Sequence, residues 1–475
     1  MKKNLITLLA TTAAIVMQAN TPNFDMVGFA TLEGGTTGGE GGETVYPTNF
    51  EELKRYAEDE TTPYIIVIDR EINTGITAYV DTTSGHISTE GTVNTIASTY
   101  GEIIKLGSNK TLIGEDDKGF LNRIGINIQC KENIIIRNLR ISLQDVPVDK
   151  SGENKIVAFR NGAEVLVGDP DCISMQADDE DLPANQRITQ HIWIDHCELY
   201  NFPKETEHKD RYDGLIDAKN DTRYVTISWC YFHDHSKACL SGKGDSDNFD
   251  RTCTWHHNYF ENIKGSHLPL LRFGRHHYFN NYMKGCEDGL NVRIQSNAYV
   301  ENCYFEDTKR PVFGKLSEDG RATLVDNIFK NCSKLPPECT NIDGAKQETL
   351  KESEQFEPTD FNPSDYYSYD AVLHSADEIP NIVPLYAGVG KLGSSPTTVV
   401  QADKPSIKAF AANGRIHIDG GIDCLVKIYR TNGAMAEIAT ITTNHFTSKR
   451  MPKGIYAIQV ASPQGETLLA TKIKL

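Results

Sequence analysis

The chain has few basic residues for its length. Lysine and arginine together number 48 against 65 aspartates and glutamates, which gives a formal net charge of −17 over 475 residues. This balance argues against nucleic acid as a bulk electrostatic partner. Net charge is screened beyond about 8 Å in physiological salt, so a local basic cleft or a bound divalent cation could still receive an acidic ligand.

Closely spaced cysteines are missing as well. The 11 cysteines are an odd number, and none has the Cys-x-x-Cys spacing of zinc or redox sites. Three of them lie in apolar, strand-like runs and are predicted to be buried as small hydrophobic side chains, namely Cys197, Cys230 and Cys303. Cys332 and Cys339 are close enough in sequence to predict a loop disulfide.

Long apolar runs are absent beyond the N-terminus. "MKKNLITLLATTAAIVMQAN" has two lysines, then a short apolar run from Leu5 to Val16, then Ala19 as a small residue at a cleavage position. The run is too short to cross a bilayer stably, and the pattern is typical of a signal peptide. We therefore expect residues 1–19 to be a signal peptide and the mature protein to be secreted, held at the cell surface or kept in the periplasm, with no membrane span.

The middle of the chain shows neither helical periodicity nor two-residue hairpin turns. Seven segments repeat one pattern of alternating apolar residues, a polar or aromatic residue and a further apolar pair, as in "NIIIRNLRI" and "HIWIDHCEL". The aligned positions are Asn138, His196, Trp229, Asn258, Asn281, Asn302 and Asn327. Repeats of a strand plus a turn are typical of a solenoid. We predict an all-β fold, a right-handed parallel β-helix in which the asparagines stack as a hydrogen-bonded ladder. A β-sandwich is the weaker alternative, because hairpin turn signals are missing.

The segments before and after the repeats have sequence patterns that differ from those of the repeats. "TNFEELKRYAED" (Thr48 to Asp59) predicts a capping helix that begins at Thr48 or Asn49. Residues 338–402 are irregular and are expected to pack along the β-helix as extended coil. From about Lys404, Gly-containing turns separate hairpin-forming strands. We thus predict a β-helix domain over 20–402 and a small β-sandwich over 403–475.

Acidic residues in two coils suggest a metal site. "DPDCI" contains Asp169 and Asp171, and "DGLID" contains Asp213 and Asp217. If neighbouring coils bring these loops together, Asp171, Asp213 and Asp217 would form an all-oxygen cluster suited to Ca²⁺. Spacing alone leaves open the alternative that they are solvated surface aspartates.

Basic residues follow in the next coils. They are Lys237 in "HDHSKACLSG", Arg272 in "LLRFG" and Arg293 in "GLNVR". On one face with the aspartates, they would form a basic rim beside a cation. Such a site would neutralise the carboxylates of a polyuronate, although each basic residue alone could equally be a solvated surface charge.

These motifs occur together in one known family. The segments "WIDHCEL", "YDGLIDAKN", "YVTISWCYFHDHSKACLSG", "HHNYFENI", "LPLLRFG", "FNNY" and "GLNVR", in this order, resemble pectate lyases of polysaccharide lyase family one, and the resemblance extends from about Gly28 to Gly390. It implies calcium-dependent β-elimination on α-1,4-linked polygalacturonate, the de-esterified form of pectin, which leaves an unsaturated uronide.

The resemblance also assigns site residues. It implies that Asp171, Asp213 and Asp217 are the primary calcium ligands, with Asp169 next to them. Lys237 and Arg272 match the contacts that the catalytic site makes to the substrate carboxylates, and Arg293 does so less closely. The expected partner is the polygalacturonate substrate, and we expect a monomer. A metal-independent pectin lyase is disfavoured because the aspartates are retained.

The sequence departs from the family at the catalytic base. The family has an arginine five residues before the position matched by Arg272, and here that residue is His267. We predict that His267 is the base, because a neutral imidazole, with an ordinary pKa of about 6.5, suits proton abstraction better than a guanidinium. Two alternatives remain, a base elsewhere such as Lys264, or a non-catalytic pectate-binding β-helix.

The last part of the chain carries a second resemblance. "VKIYRTNGA", "MPKGIYAIQV" and the final "TKIKL" are similar to the C-terminal sorting domains of the type nine secretion route in Bacteroidota. This implies an export address without a catalytic part. A small accessory or carbohydrate-binding β-sandwich is the alternative.

Overall fold

The fold is described from a computed structural model. It covers residues 22–73, 78–81, 86–89, 102–144, 157–160, 163–166, 171–202, 212–314, 319–392, 407–412, 414–419, 424–430, 434–443, 445–461 and 467–475. The predicted signal peptide and Asp169 lie outside these described residues.

Three long sheets of parallel strands build the main body, because successive coils each add a strand to them. Sheet 1 consists of Glu43–Val45, Tyr64–Ile68, Lys110–Gly114, Glu132–Arg137, Thr189–Asp195, Thr222–Ser228, Thr252–His256, Arg275–Phe279, Asn297–Glu301 and Arg321–Val325. Sheet 2 consists of Glu71–Asn73, Phe120–Asn122, Arg140–Ser142, Glu198–Tyr200, Tyr231–His233, Tyr259–Glu261, Tyr282–Lys284, Tyr304–Glu306 and Ile328–Lys330. Sheet 3 consists of Glu102–Lys105, Ile124–Gln129, Ile173–Gln176, Ile216–Lys219, Cys239–Ser241, Leu270–Leu271, Asp288–Val292 and Arg310–Phe313. The predicted parallel β-helix is confirmed.

Stacked inward side chains form the core of the β-helix. Ile134, Ile192, Val225 and Cys253 occupy one register position of sheet 1, and all four are fully buried. Alternation places every second residue of a strand on this inner face. Each coil therefore buries its apolar residues only against its neighbours, as expected for a solenoid.

The structure confirms one of the two cysteine predictions and contradicts the other. Cys197, Cys230 and Cys303 are buried in the core, as predicted. The predicted disulfide is wrong, because Cys332 and Cys339 are both free thiols. The Sγ of Cys332 faces the core, where it lies 3.5 Å from the carbonyl oxygen of Phe305.

The predicted asparagine ladder mixes two adjacent columns of side chains. Asn138, His196, Trp229 and Asn302 occupy a turn position after the sheet 1 strands, with φ between 48° and 54°. Asn258, Asn281 and Asn327 lie one residue later than this turn position, which His257, Asn280 and Asp326 fill in their coils. Asparagine, aspartate and histidine all tolerate a left-handed backbone, so neighbouring polar residues hid the one-residue shift.

Hydrogen bonds link only part of the inner column. The amide of Asn258 donates to Oδ1 of Asn281 at 2.9 Å, and Oδ1 of Asn327 accepts from the backbone N–H of Cys303 at 2.9 Å. The inner positions after Asn138, His196, Trp229 and Asn302 are occupied by Leu139, Cys197, Cys230 and Cys303, so the ladder is shorter than predicted.

The predicted capping helix is confirmed as Phe50–Ala57. Asn49 is its N-cap, since its Oδ1 accepts from the backbone N–H of Glu52 at 3.0 Å. The helix buries Phe50, Leu53 and Ala57 against the end of the core. It therefore covers apolar side chains that the first coil would otherwise expose.

The flanking segment contains a helix that the sequence analysis missed. Ile379–Tyr386 is helical and follows a capping box between Ser375 and Glu378. Ile379 and Val383 pack against the outer face of sheet 2 at Tyr259 and Tyr282. The expectation of extended coil throughout 338–402 is therefore wrong, and Pro384 inside the helix explains why its pattern was not recognised.

Several minor elements complete the main body. A side sheet contains Ala78–Asp81, His86–Thr89, Val157–Arg160 and Ala163–Leu166, and a two-stranded sheet pairs Lys334–Leu335 with Glu348–Thr349. The 3₁₀ helices are Phe29–Thr31, Ala184–Gln186, Glu352–Glu354, Pro363–Asp365 and Ala376–Glu378.

The C-terminal part forms two small antiparallel sheets. One contains Lys408–Ala412, Arg415–Asp419 and His445–Thr447, and the other contains Leu425–Arg430, Met435–Thr440, Ile455–Ala461 and Thr467–Lys474. Buried residues of both sheets, among them Ile416, Val426 and Ile458, share one core. This arrangement is a β-sandwich. In the described part of the chain, no helix is long and apolar enough to span a membrane.

Candidate active site

Three carboxylates meet at the start of two neighbouring strands of sheet 3. Asp171 precedes Ile173–Gln176, Asp213 precedes Ile216–Lys219, and Asp217 lies within that second strand. Because Ile173 pairs with Ile216, the two loops are adjacent. One carboxylate oxygen from each aspartate lies within 4.8 Å of the other two.

Gly214 makes room for this cluster. Its backbone N–H donates to Oδ1 of Asp171 at 2.9 Å. A Cβ atom at this position would lie 2.2 Å from Oδ1 of Asp217 and 3.0 Å from Oδ1 of Asp171. Any side chain would therefore push the two carboxylates apart.

Lys219 is a member of the site that the sequence analysis missed. Its Nζ lies 2.6 Å from Oδ2 of Asp171 and 3.0 Å from Oδ2 of Asp217. Burial lowers the pKa of Lys219, but the Asp217 and Asp171 carboxylates outweigh burial and raise the pKa overall. The signal was present in "DGLIDAK", since residues two apart in a strand share a face.

The carboxylate cluster carries more negative charge than Lys219 balances. Asp217 is 3% exposed, and its burial, together with the Asp171 carboxylate, raises its pKa well above the ordinary value. Oxygen ligands, adjacent carboxylates and a Cβ-free space at Gly214 are what a hard divalent cation requires. The residues present thus fit Ca²⁺, which Asp171, Asp213 and Asp217 would hold.

The predicted basic residues lie along the same sheet. Nζ of Lys237 donates to Oδ1 of Asp213 at 2.7 Å. Arg272 and Arg293 follow strands whose residues Leu271 and Val292 are paired, so the two arginines are neighbours. Nη1 of Arg272 donates to the carbonyl oxygen of Gly242 at 2.6 Å. The structure therefore brings the three basic residues to the face that carries the aspartates.

His267 lies in the loop before the strand Leu270–Leu271. Its φ is 72°, and its carbonyl oxygen accepts from the backbone N–H of Cys239 at 2.7 Å. The side chain is partly buried. Burial, then the positive charges of Lys237 and Arg272, lower the pKa of His267 to about 4. The imidazole is consequently neutral at neutral pH, which is the protonation state of a general base.

Lys264, the alternative base, lies three residues before His267 and is exposed to solvent. Its backbone N–H donates to the carbonyl oxygen of His235, and Nε2 of His235 contacts the carbonyl oxygen of Asp213 at 2.6 Å. His235 therefore supports the loop that carries Asp213.

The comparison with known proteins decides the family. Residues 2–392 match the family model described as pectate lyase. The chain belongs to the pectate lyase family. It is 35% identical over 373 residues to a pectate trisaccharide-lyase from Bacillus licheniformis, which covers 78% of this chain and 88% of the relative. The expectation that the chain is a pectate lyase enzyme is thereby confirmed.

A second relative and a solved structure agree with this assignment. Pectate lyase A from Aspergillus niger is 34% identical over 242 residues, which are 50% of this chain and 63% of the relative. The crystal structure of a pectate lyase from Bacillus sp. N165 in complex with trigalacturonate superimposes with a TM-score of 0.55 at 26% identity, covering 78% of this chain and all of that one. The family match ends at residue 392. The resemblance of residues 403–475 to a sorting domain therefore stays a prediction.

Proposed function

We propose that the protein cleaves α-1,4-polygalacturonate by calcium-dependent β-elimination, with His267 as the base, and releases 4,5-unsaturated oligogalacturonides. The observation that supports this most strongly is the placement of a neutral His267 near three basic side chains, on the sheet that carries the carboxylate cluster. The aspartates would hold Ca²⁺, and the positive charge of the bound cation would acidify the proton on C5 of the substrate.

The basic side chains would position the polysaccharide. The basic strip beside the aspartates consists of Lys237, Arg272 and Arg293. It would bind the carboxylates of successive uronate residues. Uronates held at fixed positions along the sheet would present one C5–H bond to the loop that carries His267. Correct placement of the two reacting groups lowers the barrier by itself.

His267 would then take the C5 proton. The electron pair of the C5–H bond becomes the C4=C5 double bond, and the C4 oxygen leaves with the electrons of its bond to C4. The resulting imidazolium would lie near Lys237 and Arg272, which disfavour its positive charge. It would therefore release the proton readily and return to the neutral form.

Absorbance of the conjugated product tests this proposal. The purified protein is incubated with de-esterified polygalacturonate in Ca²⁺ or in EGTA, in parallel with His267→Ala and His267→Arg. We expect product from the wild type in Ca²⁺ only, and loss of about 10²- to 10⁴-fold in His267→Ala. A silent wild type together with an active His267→Arg variant would identify a pectate-binding protein instead.

We further propose export of the protein. The signal-peptide pattern of residues 1–19 and a polysaccharide substrate too large to enter a cell support it, and residues 403–475 would serve as the sorting domain. Mass analysis of the protein in culture medium checks this: an N-terminus at or near residue 20 is expected, and retention of Met1 in an extracellular fraction contradicts it.

A further inference from the structure

Asp245 places a carboxylate next to both arginines of the basic strip. Its Oδ1 lies 3.4 Å from Nε of Arg272 and 3.8 Å from Nη2 of Arg293. The side chain of Asp245 is 71% exposed, whereas those of Arg272 and Arg293 are only 12% and 13% exposed. An exposed anion therefore covers two largely buried cations.

The two arginines need an anion. Burial, followed by the positive charge of Arg293, lowers the pKa of Arg272, and Asp245 opposes both effects. Two guanidinium groups side by side repel each other, and a carboxylate that lies close to both offsets part of this repulsion. A uronate carboxylate of the substrate has the same charge and shape as the side chain of Asp245. The two carboxylates would compete for one place.

The segment that carries Asp245 is fixed at both ends, by Lys243 and Asp247, and exposed at its tip. The carboxylate of Asp247 forms a buried ion pair with Nη1 of Arg251 at 2.7 Å and accepts from the backbone N–H of Lys243 at 2.7 Å. Between Lys243 and Asp247, a Cβ atom added at Gly244 would have no other atom within 4 Å, and Asp245 is exposed. Asp245 can thus move away from the arginines without disturbing the buried pair.

We propose that Asp245 is a specificity-determining residue, an exchangeable carboxylate that lets the subsite at Arg272 and Arg293 accept either a free or a methyl-esterified galacturonate. A free uronate displaces Asp245 and pairs with the arginines itself. A methyl ester carries no charge, so Asp245 stays in place and keeps balancing part of the charge of the two arginines while the esterified sugar binds. The inference rests on the proposed function, because it assigns these arginines to substrate carboxylates.

The variant Asp245→Asn should affect the binding of free and of methyl-esterified galacturonate in opposite directions. Without the competing charge, free polygalacturonate should bind more tightly, whereas an esterified sugar should now bind next to two arginines that have lost the negative charge of Asp245. We expect the preference for polygalacturonate over highly methyl-esterified pectin of the same chain length to rise about two- to fivefold, the range of a partly exposed ion pair. Asp250→Asn is the matched control, since Asp250 lies in the same segment, is 63% exposed and pairs with Arg275 instead.

Two readouts distinguish the possible outcomes. Dissociation constants for both polymers come from affinity electrophoresis, and kcat/KM comes from product absorbance. An unchanged or reduced preference in Asp245→Asn, with an active wild type, overturns the inference and leaves the proposed function standing. A raised binding preference without any unsaturated product supports the inference as a statement about binding and overturns the proposed reaction. A wild type that binds neither polymer overturns both.

Discussion

Nζ of Lys219 lies 2.6 Å from Oδ2 of Asp171, inside the cluster that would hold the cation. The side chain of Lys219 is 17% exposed and that of Asp171 is 7% exposed, so water screens this pair only weakly. A protein ammonium group thus balances part of the negative charge of the cluster.

Lys219→Met should destabilise the protein in the absence of divalent cations. Asp171 and Asp217 would then repel each other without a counter-ion, at a cost of about 1–3 kcal/mol in the free energy of unfolding. Ca²⁺ should restore more stability to the variant than to the wild type, because binding to the folded state alone stabilises it. Urea unfolding in EGTA measures the loss of unfolding free energy, and urea unfolding in Ca²⁺ measures how much of it the cation restores.

Lys243→Met is the control for that experiment. The ammonium group of Lys243 also pairs with an aspartate, Asp178, at 2.7 Å, but both side chains are 44–45% exposed. We expect a loss below about 1 kcal/mol and no dependence on Ca²⁺. Equal unfolding free energies of Lys219→Met and wild type in EGTA would show that Lys219 does not stabilise the cluster.

Gly214→Ala should weaken cation binding selectively. The new methyl group would meet Oδ1 of Asp217 at 2.2 Å, a distance that forces the carboxylate to move. We expect at least a tenfold rise in the dissociation constant for Ca²⁺ measured by isothermal titration calorimetry, since cation affinity depends on the number and placement of oxygen ligands.

Gly454→Ala serves as the matched glycine substitution. Its added Cβ would lie 3.7 Å from the ring of Tyr456, an ordinary van der Waals distance, in the C-terminal sandwich. Calcium affinity should stay at the wild-type value. If Gly214→Ala binds Ca²⁺ as tightly as this variant, the cation is not held by Asp171 and Asp217.

The pH profile of kcat/KM should reflect His267. Its pKa of about 4 means that the neutral imidazole prevails above this pH, so activity should be retained down to about pH 5 and fall as His267 gains a proton near pH 4. His267→Arg should move the active range to alkaline pH, because a guanidinium loses its proton only there. An acid limb near pH 6.5 in the wild type would indicate that the histidine is not held neutral.

Buried histidines should make the fold sensitive to acid. Burial lowers the pKa values of His256 and His276 to about 3, whereas both are close to 6.5 in the unfolded chain. At neutral pH both states are unprotonated. As the pH falls below 6.5 the unfolded state gains protons first, so the free energy of unfolding should fall by about 1–3 kcal/mol for each pH unit down to pH 4.

His276→Gln isolates one of these groups. Nε2 of His276 contacts the carbonyl oxygen of Phe273 at 2.9 Å, and a glutamine amide can donate in the same place. The slope of the unfolding free energy against pH should decrease by up to about 1.4 kcal/mol per pH unit. Urea unfolding between pH 4 and 7 provides the measurement, and an unchanged slope would place the acid sensitivity elsewhere.

The β-helix was predictable because its signal repeats. Alternation of apolar and polar residues in segments such as "YVTISWCYF" identifies an inner face, and repetition of the segment identifies the stacking. The position of the turn was not predictable to one residue, since Asn280 and Asn281 are both asparagine and only the backbone shows which of them turns. The helix Ile379–Tyr386 was not predicted, because Pro384 is unfavourable in a helix interior. Packing against the tyrosines of sheet 2 overcomes this preference, and the sequence does not show that packing.

The candidate site was predictable as a set of residues but not as a network. Spacing and family motifs named the aspartates, the basic strip and His267. They could not show that Lys219 contacts Asp171 or that Asp245 contacts Arg272. Such pairs depend on which coils are adjacent and on side-chain direction, and both follow only from the three-dimensional register.

The solenoid architecture also limits how this site can change. The carboxylate cluster and the arginine pair belong to different coils of sheet 3, and consecutive parallel strands are about 4.8 Å apart. Insertion or deletion of a complete coil would preserve the fold while moving the two halves of the site by one such step. The distance between the carboxylate cluster and the arginine pair can therefore change only in steps of one strand spacing. The number of sugar residues that the site spans should vary in the same steps, one coil at a time.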